Sequence, residues 1–202
     1  SLASVKEKPI YLDVPFTSQA PFGEWKLDMF QDACEEASMI MAMTFIKKEK
    51  LTPKIAKEKI TAISNFEFTQ DKNYHDRSAK DTTQLIKDYY KYQNIEYKEK
   101  VTLKNIIAEI DEGNLIIAPM NGQKLKNIYF TAPGPINHML LIIDYDRDKK
   151  EFITNDPGTR RGKNFRYKEN ILFNALRDYP TGYHEKNPNN FKNIIIIKPL
   201  KQ

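Results

Sequence analysis

A thiol, an imidazole and a carboxylate suffice for nucleophilic attack on a carbonyl carbon, and this chain offers few ways to assemble them. It has one cysteine, Cys34, and three histidines, His75, His138 and His184. A lone cysteine forms no internal disulfide, so Cys34 is either a small buried hydrophobe or a reactive thiol. The reactive form is the thiolate, which needs a pKa below the ordinary value of about 8.5. Cys34 opens a segment with helical periodicity, where unpaired N–H groups and the helix macrodipole favour an anion. Glu35 and Glu36 oppose that effect unless they point away.

His75 lies in the polar stretch DKNYHDRS and His184 in TGYHEKNP, and both read as ordinary exposed residues. His138 follows the loop TAPGPIN and opens an apolar run. A strand-start histidine can face a cleft while the strand behind it is fixed in the core. It is either the general base or a satisfied half-buried histidine. A catalytic imidazole needs an acceptor on its second nitrogen. Asp156, in ITNDPG at the end of the following strand, is the candidate, with Asn155 as its neighbour. A hairpin turning near Asp146 to Lys150 brings residue 138 close to residue 156. Asp-Pro-Gly is also turn chemistry, and both readings can hold. Acyl transfer further requires oxyanion donors. The Cys34 N–H at the helix start is one. Gln19, on a separate approach loop, is preferred as the second, with Gln31 the alternative three residues before the thiol.

The elements that must position these groups divide the chain. Ala33, Ala37, Ile40, Met41, Thr44 and Phe45 follow the helical period, predicting a helix over 33–48 with Asp32 as N-cap. Thr52-Pro53 starts a second helix, Asp81-Thr-Thr-Gln84 resembles a capping box before a third, and Thr102 opens a fourth that Gly113 ends. Strands are predicted over 11–16, 115–120, 138–145, 151–154, 164–168 and 193–198, with helical character over 169–177. Helices first and strands later make an α+β arrangement with a cleft between the two parts. The long loop from Asn121 to Asn137 is expected to shape or cover that cleft. Residues 1–10 read as a flexible N-terminal segment and 11–202 as a single domain.

The composition fits a globular protein: 202 residues, 40% hydrophobic and 29% charged. The net charge of +5 comes from scattered lysines, not a basic block with interleaved aromatics, so no nucleic-acid partner is expected. No apolar run approaches membrane-spanning length.

Taken together, Val14-Pro15-Phe16-Thr17-Ser18-Gln19, Trp25 and Gln31-Asp32-Ala33-Cys34-Glu35-Glu36-Ala37-Ser38 resemble the papain-like cysteine peptidase family related to bacteriocin-processing, double-glycine leader peptidases. His138 opening an apolar strand and the Asn155-Asp156-Pro157-Gly158 turn match that family's later motifs, in the same order. The resemblance implies a papain-like fold, a helical lobe against an antiparallel sheet. It implies Cys34 as nucleophile, His138 as base, Asp156 as orienter and Gln19 in the oxyanion hole, with a peptide or protein substrate and no metal or organic cofactor. The leader peptidases are usually fused to a membrane transporter, whereas this sequence carries no G-x-x-x-x-G-K-[ST] motif, so a stand-alone peptidase is expected. Three rivals share the residues: transglutaminase-like or amidase acyl transfer, a binding module without turnover, and a cell-wall peptidase. A lone thiol suits the cytoplasm. The resemblance and the start at Ser1 point instead to an exported bacterial protein, which is the expectation.

Overall fold

The computed structural model describes residues 13–187 and 189–200; the segment 1–10 read as flexible lies outside them. Its centre is an antiparallel six-stranded sheet of order β1-β6-β2-β3-β4-β5. The strands are β1 (Ile95–Lys98), β2 (Leu115–Met120), β3 (His138–Asp146), β4 (Glu151–Asn155), β5 (Phe165–Lys168) and β6 (Ile194–Ile197). On one face lie α2 (Cys34–Ile46), α3 (Pro53–Asp71) and α4 (Ala79–Tyr90), with the short α1 (Asp28–Gln31) leading in. On the other lie α5 (Leu103–Asp111), α6 (Gly122–Leu125) and α7 (Glu169–Ala175).

The central strands read as unbroken apolar runs because both faces are covered. Met139, Leu141 and Ile143 of β3 pack against Met39 and Ile40 of α2. Leu140 and Ile142, between them, pack against the core that holds Ile106 of α5 and Leu172 of α7. Each of these strand side chains is fully buried, contributing about 1.5–3 kcal/mol by its removal from water. α2 is buried on nearly every side, which is why its apolar positions are not confined to one stripe. It is the helix that carries Cys34, and Ser38 Oγ, one turn on, donates to Met139 O at 3.3 Å. That bond ties the start of α2 to the start of β3.

Several predicted elements differ in detail. Residues 13–16 pair with no strand. The backbone there is held instead by Asn155 Nδ2, which donates to Val14 O and Pro15 O. α2 has Ala33 at its N-cap and no side-chain cap, because Asp32 turns its carboxylate to His75. α4 starts earlier than the Asp81 signal, capped by Ser78, whose side chain accepts from Asp81 N. β1 was not expected: its four residues, Ile-Glu-Tyr-Lys, are too short a run to signal a strand before β6 pairs with them.

Candidate active site

Several loops, the start of α2 and the start of β3 converge on one cleft of about 1460 Å³, lined by Gln19, Trp25, Cys34 and His138 among others. The loop 121–137 contributes Tyr129, Phe130 and Ile136 to its wall, so this loop shapes the cleft as expected.

The β3–β4 hairpin sets the imidazole against the carboxylate. Leu141 pairs with Asn155, and a bulge between Ile142 and Asp144 shifts the register by one. Continuing that ladder puts position 138 opposite 158 and leaves Asp156 as its diagonal neighbour on the same face. The result is a bond of 2.7 Å between His138 Nε2 and Asp156 Oδ1. An ionised carboxylate only accepts, so Nε2 carries the proton and Nδ1 is the nitrogen left basic. Gly158 makes the approach possible: a Cβ there would lie 2.9 Å from His138 Cε1 and 2.8 Å from Phe130 Cε1. The turn is closed by Asp156 N donating to Gly162 O, and a Cβ on Gly162 would fall 1.7 Å from Asp156 O.

Asp156 is fully buried. Burial pushes its pKa up. The neighbouring His138, the Tyr167 hydroxyl and the Gly158 N–H outweigh this and hold it below the ordinary carboxylate value. Tyr167 Oη donates to Asp156 Oδ2 at 2.6 Å, and Asn127 Nδ2 donates to Tyr167 Oη at 2.7 Å. These bonds favour the anionic form of Asp156 and tie it to β5 and to the cleft loop.

The thiol differs from the sequence expectation. Cys34 does open a helix, but Glu35 does not point away: Cys34 Sγ donates to Glu35 Oε2 at 3.0 Å. Glu35 is buried, and its Oε1 accepts from Tyr179 Oη at 2.6 Å and Arg77 N at 3.2 Å. Burial first, and then Glu35, push the Cys34 thiol well above its ordinary value. Glu36, beside it, accepts from Ser64 Oγ and is itself pushed up by burial and by Glu67.

Gln19 lines the cleft with Cys34, and Gln19 N donates to Pro157 O at 2.9 Å, joining its loop to the Asp156 turn. Its amide donates to Phe30 O at 3.1 Å and to Gln31 O. Both acceptors are carbonyls, so the amide orientation is fixed. To reach a substrate oxyanion it must release one of them. Gln31 also lines the cleft.

His184 is exposed as read, whereas His75 is half-buried, and both rings meet carboxylates. His75 Nδ1 bonds Asp32 Oδ2 at 2.7 Å, His184 Nδ1 bonds Asp76 Oδ2 at 3.1 Å, and the two rings lie 6.2 Å apart. Asp32, Asp76 and His184 all face the cleft. Among the described residues no group of His, Cys, Asp and Glu is arranged to hold a metal ion. No helix among them is long and apolar enough to cross a membrane.

The sequence matches the Peptidase_C39 like family over residues 11–181. The chain belongs to that family. A crystal structure of a candidate C39-like peptidase from Bacillus anthracis superposes with a TM-score of 0.51, covering 93% of this chain and 96% of that one at 14% identity. At that identity the likeness shows the fold, an α+β papain-like arrangement. No curated protein matches the sequence. Membership of the C39-like family makes a cysteine peptidase type of function the general assignment.

Sequence reasoning missed Tyr167, Asn127 and the inward turn of Glu35. Tyr167 lies 11 residues beyond Asp156 and Asn127 lies 29 before it, and nothing local marks either. Only the register of β5 against β4 brings Tyr167 to the carboxylate.

Proposed function

We propose that this C39-like domain hydrolyses peptide bonds through a thioester on Cys34. The observation that carries this reading is the buried 2.7 Å bond between His138 Nε2 and Asp156 Oδ1, at the wall of a cleft that Cys34 also lines. His138 Nδ1 takes the Cys34 proton. The sulfur attacks the substrate carbonyl carbon and forms a C–S bond. The tetrahedral oxyanion is met by the Cys34 backbone N–H and by Gln19 Nε2, after Gln19 releases Phe30 O or Gln31 O. The C–N bond breaks as the His138 imidazolium returns its proton to the leaving amine. Water, deprotonated by His138, then cleaves the thioester. Asp156 fixes the tautomer and stabilises the imidazolium.

The Cys34–Glu35 contact favours a second reading, a papain-like binding module with a silent thiol. Iodoacetamide labelling against pH separates the two. Peptidase action predicts rapid labelling of Cys34 near neutral pH, a fall of about a hundredfold or more in His138→Ala, and peptide cleavage that Cys34→Ala abolishes. A rate that rises only towards alkaline pH and ignores His138→Ala means the silent module.

A further inference from the structure

The chain has six arginines, and the fold sorts them into two groups. The three outside the cleft are all ion-paired. Arg77 meets Glu67 at 2.7 Å and Asp71 at 2.8 Å, Arg147 meets Asp111, and Arg166 meets Asp146 at 2.9 Å and Glu151 at 3.3 Å. The other three, Arg160, Arg161 and Arg177, line the cleft beside Cys34 and His138. Among the described residues none of these three has a carboxylate partner.

Their placement relative to the imidazole is specific. Arg160 and Arg161 follow Gly158, whose backbone lies against His138. The Arg161 guanidinium stands 5.0 Å from the Tyr129 ring centroid, which holds it over the cleft wall. Arg177 bonds the residues that lead into His138. Its Nη2 donates to Ile136 O and to Asn137 Oδ1, both at 3.0 Å, in the two residues that precede His138. These acceptors are neutral, and the buried Nε has no partner at all. Among the described residues the cleft carboxylates Asp32 and Asp76 pair with other groups and not with these guanidiniums. Asp32 is held by His75, and Asp76 by Asn137 Nδ2 at 2.7 Å and by His184. Glu185 faces the same cleft, as does Lys186 of opposite sign.

Three guanidinium groups without a carboxylate partner on one cleft leave it able to attract an anionic ligand. A guanidinium fork matches a carboxylate bidentately and gains more there than from a neutral carbonyl. Arg177 makes such a fork with its Nε–Nη2 edge by exchanging one neutral acceptor of Nη2 for a carboxylate oxygen, which also gives the buried Nε a partner.

We propose that the cleft selects acidic peptides, docking a carboxylate of the substrate on Arg177 and on the Arg160–Arg161 pair beside His138. The proposal rests on the reading of this cleft as a peptide-binding one and assigns its substrate class. The carboxylate comes from an Asp or Glu side chain near the scissile bond, or from the end of the substrate chain.

Binding to the Cys34→Ala protein tests it without requiring turnover. Calorimetric titration at low salt compares acetyl-Ala-Ala-Glu-Ala-Ala-amide with its Gln isostere, and with the Gln peptide ending in a free carboxylate. The Glu amide is expected to bind about tenfold more tightly than the Gln amide, with the advantage shrinking as salt rises. Tight binding of the free-acid Gln peptide instead identifies a terminal carboxylate as the recognised group. Arg160→Gln/Arg161→Gln alters only exposed side chains of a turn, so the fold is kept, and it should remove a severalfold share of the preference. Adding Arg177→Gln should abolish the rest, with thermal unfolding run alongside. Equal binding of all three peptides, no binding by any of them, or a preference that survives in the triple variant overturns the proposal. A wild-type protein that binds the Glu peptide but neither cleaves it nor labels at Cys34 overturns the hydrolase reading alone.

Discussion

Replacing Glu35 by Gln removes a titratable group that touches the Cys34 sulfur while keeping its shape. The carboxyl is pushed up to about 8, by burial and by the charge of Asp76. Below that pH it is mostly protonated, and its O–H can face the sulfur 3.0 Å away and support a thiolate. Above that pH it is an anion. A thiolate at 3.0 Å from a negative charge is opposed by on the order of 5 kcal/mol at an effective dielectric of about 20. The thiolate then forms only in the molecules whose Glu35 keeps its proton, a fraction that falls about tenfold per pH unit. In Glu35→Gln the amide Nε2 donates to the sulfur at every pH, and Oε1 keeps its bonds from Tyr179 Oη and Arg77 N. The other charged groups bearing on this site are Asp76, Glu36 and, through Glu36, Glu67. Iodoacetamide labelling rates measured from about pH 6 to 9 read the effect. The ratio of variant to wild type should be near one at the acid end and about tenfold at pH 9. A flat ratio would refute the coupling. A ratio below one would make Glu35 the proton acceptor of the thiol, reversing the assignment of roles.

Gly158→Ala introduces a Cβ about where His138 Cε1 and Phe130 Cε1 already stand, at 2.9 and 2.8 Å; peptide hydrolysis and neutral-pH labelling should both drop at least tenfold, while circular dichroism stays native. Tyr167→Phe removes the 2.6 Å donor to Asp156 Oδ2, which should cost about 2 kcal/mol and lower Tm by roughly 4–8 °C near neutral pH. The sign follows from the depressed Asp156 pKa: its stabilisation is present above the ordinary value of 3.8 and lost as pH falls through the folded one. The gap between wild type and Tyr167→Phe should therefore close in acid; a gap that is constant with pH would mean that Tyr167 acts by packing alone.

The local signals in this sequence were those that need only neighbours in the chain. Thr52-Pro53 opens α3, Thr102 caps α5, and the apolar runs at 115–120 and 138–145 are strands, because caps, a fixed proline φ and burial period act within a few residues. The meeting of His138 and Asp156 was also legible, since a hairpin with a known turn fixes which of its ends adjoin. Side-chain direction was not. Asp32 reads as a cap and bonds His75 of a distant loop; Glu35 reads as an acid that opposes a thiolate unless it points away, and it turns onto the sulfur. The histidines at 75 and 184 sit in polar loops, and only packing of distant segments brings their rings within 6.2 Å. So the sequence by itself determined the α+β class and the identity of the candidate thiol, imidazole and carboxylate. The tertiary structure decided the charge around them, which arginines lack partners and which carboxylate meets the thiol, because electrostatic energy depends on distances of a few ångströms between groups whose separation in sequence carries no such information.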